Sequence, residues 1–396
     1  MHTCFVVSQF IPPRCRSRFG APNLAYHLAS RLTKELKVTV LTNLFPKGFV
    51  TNLGGIDVYS VAEKLPYYGG IKADTCAAFE AMKEVPYVLE LLKHLDPDIV
   101  HVYGDITASL LASTCKLSRK PVVMTLTSPF STNSFFNYDR YLHRPTRTLS
   151  SIALGAIDIV ISMNRYMAEH LSTCFSLDQS KIRIVPHGIS DRFLHTNSDG
   201  EARSSIDALK GANMILFWGE GTFNRGFHVF MKSIPQILKE NPNVSFFIVV
   251  RHLDRRCLDL MMKIRNRAGF VLMNESKSSY NWPVEDIVAS SSVVALPFLI
   301  NPMEPPGTLV ESLCAGRAVV TTDVGGNKET MENMVSGVLI KRGDSKELAE
   351  HCTRLIQDES FRKEMGAKAR KLVLKKYQWD TCVQNIVRIY EEVLTR

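Results

Sequence analysis

The sequence predicts an α/β fold with two doubly wound, Rossmann-like domains. Short runs rich in Val and Ile alternate with segments that carry a helical apolar stripe, and this alternation occurs once in each half of the chain. Strands that alternate with helices pair in parallel sheets. The 396 residues, 45% of them apolar, also exceed what one ordinary hydrophobic core encloses.

The first series begins with a strand at Cys4–Ser8, followed by a loop and by a helix whose apolar stripe includes Leu24, Leu28 and Leu32. Further strands are predicted at Lys37–Thr42, Ile99–Tyr103, Val122–Leu126, Ile157–Ser162 and Ile182–Pro186. A polar segment at 197–212, rich in Ser, Gly, Asp and Glu, then predicts a junction. We therefore place the N-terminal domain at residues 1–190.

The second series predicts another parallel sheet, in a domain at residues 191–378. Its strands are expected at Met214–Trp218, Val244–Val250, Phe270–Met273, Val293–Pro297 and Ala318–Thr322. Ligands of open parallel sheets bind beyond the carboxyl ends of the strands. The loops that follow these strands are therefore where a site is expected.

The composition and the first residues of the chain indicate its cellular location. No apolar run approaches the roughly 20 residues of a membrane-spanning helix, and the first residues lack the basic region and cleavage site of a secretory signal. The nine dispersed cysteines show no metal-type spacing and fit a reducing compartment. These features predict a cytoplasmic protein.

The formal charge of +9 fits a nucleic acid, an anionic membrane surface or an anionic small substrate as partner. Two basic stretches, Arg251–Arg267 and Arg362–Lys376, contribute much of this charge. They lack the interleaved aromatic residues of a base-stacking surface, so nucleic acid is disfavoured. The alternative is that both stretches are solvated helix faces.

The segment at 301–326 carries the most chemical information, and it reads NPMEPPGTLVESLCAGRAVVTTDVGG. Pro305 and Pro306 stiffen the approach to a helix, and Gly307 allows the backbone to come close to a ligand. The unpaired amides at the start of a helix attract phosphate. Glu311, one turn further, is placed to accept hydrogen bonds from ribose hydroxyls. Gly316 is expected to end the helix in the left-handed conformation.

This segment resembles the donor-site signature of the family 4 retaining glycosyltransferases, which have the GT-B fold. Three further blocks resemble the family, so the likeness extends over essentially the whole chain: IRIVPHGISDRF, ILFWGEGTFNRG and SGVLIKRGDSKELAEHC. The resemblance implies two Rossmann-like domains whose sheets face each other across a cleft. It also implies a nucleotide-sugar donor held by the C-terminal domain, an acceptor bound by the N-terminal domain, and a final helix at about 379–396 that returns to the N-terminal domain.

The resemblance also implies roles for individual residues. Glu311 would bind the ribose, and Gly307, Thr308 and Leu309 would present backbone amides to the diphosphate or the sugar. Arg225, where the family usually has lysine, would stabilise the leaving diphosphate.

Gly20, in the loop after the first strand, resembles the glycine that lets the N-terminal domain close on the phosphates. Such a transfer needs no metal, no cofactor and no protein nucleophile.

Besides Arg225, three further positions depart from the family pattern. The family's first glutamate would fall at Met303, whereas Glu304 stands one residue later. Glu304 either still reaches the sugar hydroxyls, since a loop before a helix can absorb one residue, or lies out of register. Glu220 stands where an arginine is usual. The loop after Val122–Leu126 begins with Thr127 and lacks the expected histidine.

Other candidate residues have plainer interpretations. A lone histidine in an apolar strand, His101, is expected to be a hydrogen-bonded core residue, and His187 is expected to pack at the crossing between the domains. Asp96 and Asp98 precede a strand and predict a turn instead of a metal site. The pair Gly325 and Gly326 fits either a donor-contacting loop or a tight turn.

The expected function is therefore retaining transfer of a sugar from a nucleotide diphosphate to a hydroxyl of a glycan, a lipid or a small molecule. Arg140, Arg144 and Arg147 near Tyr138 and Tyr141 favour a lipid-linked acceptor at an anionic membrane. One alternative is a noncatalytic protein or partner subunit that binds sugar nucleotides. The other is an epimerase or phosphorylase on the same fold.

Overall fold

The computed structural model describes residues 1–7, 10, 21–42, 48–61, 85–106, 108–128, 144–195, 213–262, 270–274, 283–300 and 305–396. The chain divides into two compact units, each with its own sheet. The first unit contains Met1–Gly188 together with Gln378–Arg396, and the second contains Ile189–Asn301 and Pro305–Tyr377. The sequence had suggested changes of domain at about 190 and 378.

Eight strands form the sheet of the first unit within the described residues, in the order β3-β4-β2-β1-β5-β6-β7-β8. All neighbours are parallel except β3 and β4. The strands are β1 (His2–Val7), β2 (Lys37–Thr42), β3 (Val50–Leu53), β4 (Ile56–Ser60), β5 (Ile99–Asp105), β6 (Val122–Ser128), β7 (Ile159–Ser162) and β8 (Ile182–Ile184).

Helices of the first unit cover this sheet, which explains why its central strands β1, β5 and β6 are almost entirely buried. These helices are α1 (Ala21–Leu32), α2 (85–95), α3 (Ala108–Cys115), α4 (Arg144–Ala156), α5 (Arg165–Phe175) and, at the end of the chain, α14 (Trp379–Leu394). Every residue of β6 is buried, including Thr127 and Ser128. The predicted end of this strand, at Leu126, is therefore wrong. The strand continues for two more residues, Thr127 and Ser128.

The last helix, α14, packs with the first unit although it follows the second in sequence. Its buried face, which includes Trp379, Ile386 and Tyr390, belongs to the same hydrophobic core as β1 and β5. The indole of Trp379 covers Gly188, where a Cβ atom would lie 2.2 Å from a ring carbon. Gly188 is thus required for this close approach.

Six parallel strands form the sheet of the second unit within the described residues, in the order β11-β10-β9-β12-β13-β14. They are β9 (Met214–Gly221), β10 (Ser245–Leu253), β11 (Phe270–Asn274), β12 (Val293–Leu296), β13 (Ala318–Thr322) and β14 (Val338–Ile340). Because β9 lies beside β12, and β12 beside β13, the loops that follow these three strands share one edge of the sheet.

The helices of the second unit follow its strands in alternation. They are α6 (Asp191–Leu194), α7 (Phe227–Glu240), α8 (Arg255–Met262), α9 (Val284–Ser290), α10 (Gly307–Cys314), α11 (Asn327–Thr330), α12 (Ser345–Gln357) and α13 (Glu359–Lys376). Asp344 and Asp358 begin the last two of these by accepting hydrogen bonds from first-turn amides. The prediction of two doubly wound parallel sheets is confirmed.

Candidate functional site

The loop between β9 and α7 carries Arg225 at the carboxyl edge of the second sheet. The guanidinium carbon of Arg225 lies 5.2 Å from the ring centroid of Phe298, a buried residue just after β12. The carbonyl of Asn224 accepts hydrogen bonds from the amides of Leu299 (2.9 Å) and Ile300 (3.1 Å). These contacts hold the Arg225 loop against the segment that leads from β12 toward α10.

Gly226 explains why this loop approaches β12 so closely. Its φ of 74° is in the left-handed region, and a Cβ atom at this position would lie 1.6 Å from the carbonyl oxygen of Pro297. A side chain would therefore displace the loop. The glycine next to Arg225 is a steric requirement of the Arg225 position.

The start of α10 offers backbone amides at the same edge of the sheet. None of the described residues accepts a hydrogen bond from the amides of Gly307 and Thr308, as expected for the first turn of a helix. The amide of Leu309, by contrast, donates to the carbonyl of Pro306 at 3.0 Å, and its side chain is fully buried. The structure thus leaves Gly307 and Thr308 as the better candidates to bind an anion.

Glu311 lies one turn into α10, and its carboxylate reaches back toward the start of the helix. A Cβ atom on Gly307 would lie 3.9 Å from Oε2 of Glu311. The carboxylate therefore lies close to Gly307, the first residue of the helix. This pairing of an acceptor with donors suits a ligand that carries both hydroxyls and phosphates.

Residues in β9 fix the position of α10. The indole nitrogen of Trp218 donates to the hydroxyl of Ser312 at 2.9 Å, and this hydroxyl donates to the carbonyl of Thr308 at 2.6 Å. Gly219, with a φ of 118°, lies so close that a Cβ atom would be 3.2 Å from the methyl group of Thr308. Sequence reasoning missed Trp218, Gly219 and Ser312. The only signal was a serine one turn after Thr308.

The loop after β13 is held by a buried asparagine. The side-chain nitrogen of Asn327 donates to the carbonyl of Thr322 at 2.9 Å. Gly325 takes a φ of 56°, so the loop contains a turn that favours glycine. The loop lies at the same edge as α10 because β13 neighbours β12.

Two predicted site residues, Gly20 and Glu304, lie outside the described residues. Glu220 is the penultimate residue of β9 and so places a carboxylate, instead of the usual arginine, at the carboxyl edge of the sheet. The roles assigned to Arg225, Gly307, Thr308, Leu309 and Glu311 stay predictions.

His101 is a core residue, as expected. Its ring nitrogens lie 2.5 Å from the hydroxyl of Tyr390 and 2.7 Å from that of Thr125, and the side chain is fully buried. Burial lowers the pKa of His101 to about 3, so the imidazole is neutral. His187 is also buried, and its Nδ1 donates to the carbonyl of Gly188 at 2.8 Å.

The Asp96 and Asp98 pair forms a turn at the amino edge of the first sheet. Asp98 accepts from the amide of His2 at 2.7 Å, and Asp96 takes a φ of 42° and pairs with Lys120 at 2.6 Å. The interpretation as a turn is confirmed. Within the described ranges, no cluster of His, Cys, Asp and Glu side chains is arranged to hold a metal ion.

Comparison with known families identifies the chain. Residues 20–193 match the family described as Glycosyltransferase Family 4, and residues 212–358 match the family described as Glycosyl transferases group 1. Together the two matches cover most of the chain. The chain belongs to this glycosyltransferase family. The family resemblance of the sequence motifs is thereby confirmed.

Two relatives of this glycosyltransferase match over three quarters or more of their length. The uncharacterized glycosyltransferase MJ1607 of Methanocaldococcus jannaschii is 25% identical over 374 residues, which cover 87% of this chain and 91% of the relative. The phosphatidyl-myo-inositol mannosyltransferase of Mycobacterium leprae is 21% identical over 313 residues, with 76% and 75% covered.

Among solved structures, HepE of Anabaena in complex with UDP has a TM-score of 0.75 at 15% identity, and the match covers 99% of this chain and 100% of HepE. The likeness shows that this glycosyltransferase has the same fold, GT-B. No helix in the part of the chain that the structure describes is long and apolar enough to cross a bilayer.

Proposed function

We propose that this enzyme transfers a sugar from a nucleotide diphosphate sugar to a hydroxyl acceptor, with retention of configuration and without a metal ion or other cofactor. The observation that supports this most directly is the start of α10 at the edge of the second sheet, where the Glu311 carboxylate lies close to Gly307 and the first-turn amides of Gly307 and Thr308 have no acceptor among the described residues. The Arg225 loop ends at the same edge. The Anabaena neighbour, solved in complex with UDP, has the same fold.

In this proposal, Arg225 and the α10 amides bind the diphosphate and stabilise the negative charge that develops as it leaves. Preorganised donors of this kind lower the barrier because they need no reorientation during the reaction. Glu311 accepts hydrogen bonds from the ribose. The acceptor hydroxyl attacks the sugar face from which the diphosphate departs, so the configuration is retained. Glu304 and Gly20 keep their proposed roles at the sugar and the phosphates.

The acceptor is proposed to be a glycan or a lipid-linked molecule bound by the first unit. The Mycobacterium leprae relative is named for a phosphatidyl-myo-inositol acceptor. In α4, Leu149 and Ile152 are more than half exposed, and the neighbouring Arg147 donates to the carbonyl of Cys174 at 2.6 Å. Exposed apolar side chains beside basic ones suit a peripheral contact with an anionic membrane from the cytoplasm. The proposal of a lipid-linked acceptor is based on this patch of Arg147, Leu149 and Ile152.

The first test measures thermal stabilisation by UDP-, GDP-, ADP- and TDP-sugars and by the free nucleotides. We expect one base to raise the melting temperature selectively, and Glu311→Ala to abolish this shift. The matched control is Glu332→Ala, which removes an exposed carboxylate outside the site. No shift with any nucleotide, or an equal shift in Glu311→Ala, would contradict the donor site.

The second test measures turnover with the nucleotide sugar that the first one selects. Arg225→Ala should reduce kcat/KM by about 100-fold, the usual effect of removing a preorganised donor to developing charge. Arg256→Ala, which removes an exposed cation on α8, is the control. NMR of the product's anomeric signal decides between retention and inversion. Binding without turnover would favour the noncatalytic alternative.

A further inference from the structure

A cavity of about 580 Å³ lies in the second unit at the edge of the sheet opposite to the proposed donor site. One wall comes from residues 290–292, which lead into β12, and from residues 316–318 at the start of β13. The other wall is a face of α13. Its volume falls in the range of small-molecule sites.

The cavity is strongly basic. Among the described residues that line it, five carry a positive charge and one, Glu359, carries a negative charge. The basic residues are Arg317, Arg362, Lys363, Arg370 and Lys371. Lys363 pairs with Glu359 at 2.8 Å on the exposed side of α13. Because the one carboxylate neutralises a single charge, the lining of the cavity keeps a net positive charge.

Neutral backbone carbonyls orient the guanidinium groups. Arg317 donates to the carbonyl of Ser291 at 3.2 Å, and Arg362 donates to that of Leu355 at 2.7 Å. Arg370 donates to the carbonyls that end two neighbouring helices, α10 and α6. Carbonyl acceptors fix the direction of a guanidinium without cancelling its charge.

Three guanidinium groups, those of Arg317, Arg362 and Arg370, therefore line the same cavity, each held in place by backbone carbonyls. Burial lowers the pKa of Arg362, the direction expected for a cation that has lost water. An anion in the cavity would offset that unfavourable burial. The basic stretch of α13 is therefore more than a solvated face, because part of it lines a concave space.

We propose that this cavity binds a small anion that carries a phosphate or pyrophosphate group. Guanidinium groups bind phosphate oxygens in pairs, and Lys371 adds a flexible charge at the rim. The site is separate from the proposed donor site, since the two lie at opposite ends of the same parallel strands. It therefore does not depend on the proposed reaction.

The test is isothermal titration of the full-length protein with inorganic pyrophosphate at physiological salt. The background is Arg225→Ala, which weakens pyrophosphate binding at the proposed donor site. We expect saturable binding of one pyrophosphate per chain, weakened about tenfold or more by Lys371→Glu, since a charge-assisted contact is replaced by repulsion. Arg317→Gln should weaken binding as well. Lys375→Glu, the same change on the same helix outside the cavity, should leave binding intact.

Several outcomes would overturn the proposal. These are the absence of saturable binding, an affinity unchanged by Lys371→Glu, and an equal loss in Lys375→Glu, which would indicate general attraction to α13. Sedimentation with phosphatidic acid vesicles, against phosphatidylcholine vesicles, separates a lipid source of the phosphate from a soluble one. If vesicles bind in a manner that depends on Lys371 but pyrophosphate does not bind, the proposal of a small anion is overturned and a membrane lipid is the ligand instead. Circular dichroism confirms that each variant is folded.

Discussion

At the scale of single residues, the backbone around Arg225 is determined by steric contacts that leave no room for a side chain. Gly226 lies against the carbonyl of Pro297, and Gly219 lies against Thr308. Both take positive φ values, 74° and 118°. Because Gly226 lacks a Cβ atom, the Arg225 loop can lie against β12. Because Gly219 lacks one, the start of α10 can lie against β9.

We predict that Gly226→Ala destabilises the second unit by about 3 kcal/mol, because positive φ and a backbone clash act together. Gly343→Ala is the matched control. Gly343 has a φ of 80°, but a Cβ atom there would lie 3.9 Å from its nearest neighbour and would not clash. Gly343→Ala should therefore cost only about 1 kcal/mol, from the unfavourable φ. Urea unfolding measures both. Equal losses would contradict the steric account.

At the scale of elements, β9 and α10 are joined by one buried hydrogen-bond relay. The indole of Trp218 also stacks on Phe193 at 5.8 Å, so the ring is fixed from two sides. The far end of α10 is held by Arg370, which donates to the carbonyl of Cys314. The helix that presents the Gly307 and Thr308 amides is thus fixed at both ends, and its amides keep their direction.

Ser312→Ala should destabilise the second unit by about 1–3 kcal/mol, since it leaves the buried Trp218 nitrogen without an acceptor. Trp218→Phe removes the donor instead. We expect the double variant to lose less stability than the sum of the two single losses, as for a direct pair. Chemical unfolding of the four proteins measures this coupling. Strict additivity would show that the hydrogen bond contributes little.

At the scale of the whole molecule, the last helix completes a core that begins with the first strand. Tyr390 in α14 contacts His101 in β5, although the two residues are 289 positions apart in sequence. The partners of the His101 ring, Tyr390 and Thr125, are both uncharged hydroxyls. Neither compensates the cost of a buried imidazolium, which explains why burial depresses the pKa of His101.

This depressed pKa predicts how stability changes with pH. His101 titrates near 6.5 when unfolded and at about 3 when folded, so between these values only the unfolded chain takes up the proton. Its contribution to stability is present above pH 6.5 and is lost as the pH falls toward 3, by at most about 1.4 kcal/mol per pH unit. His101→Gln should therefore show a shallower decline.

Urea unfolding at several pH values between 4 and 7 tests this prediction. The protein has three tryptophans, and replacing Trp218 and Trp282 by phenylalanine leaves Trp379 as a fluorescence probe in the first unit. The free energy of unfolding of this background is compared with and without His101→Gln. Identical slopes would show that His101 does not titrate differently in the folded state.

Much of the candidate site was predictable because its chemistry is local in sequence. Pro306, Gly307 and Glu311 stand within six residues, and the rules for helix starts relate them directly. Gly316 was likewise predicted, and takes a φ of 69°. The limits of β6 were missed because Thr127 and Ser128 are polar, and only burial by neighbouring elements keeps them in the strand.

The sequence by itself determined the two parallel sheets, the family and the segment that holds the candidate donor site, because periodicity and motif spacing are properties of adjacent residues. The tertiary structure alone decided the contacts between distant segments. It joined Trp218 to Ser312, placed Arg225 over Phe298 and gathered Arg317 and Arg370 around one cavity. Such contacts depend on how strands are ordered in a sheet, which a local pattern does not encode.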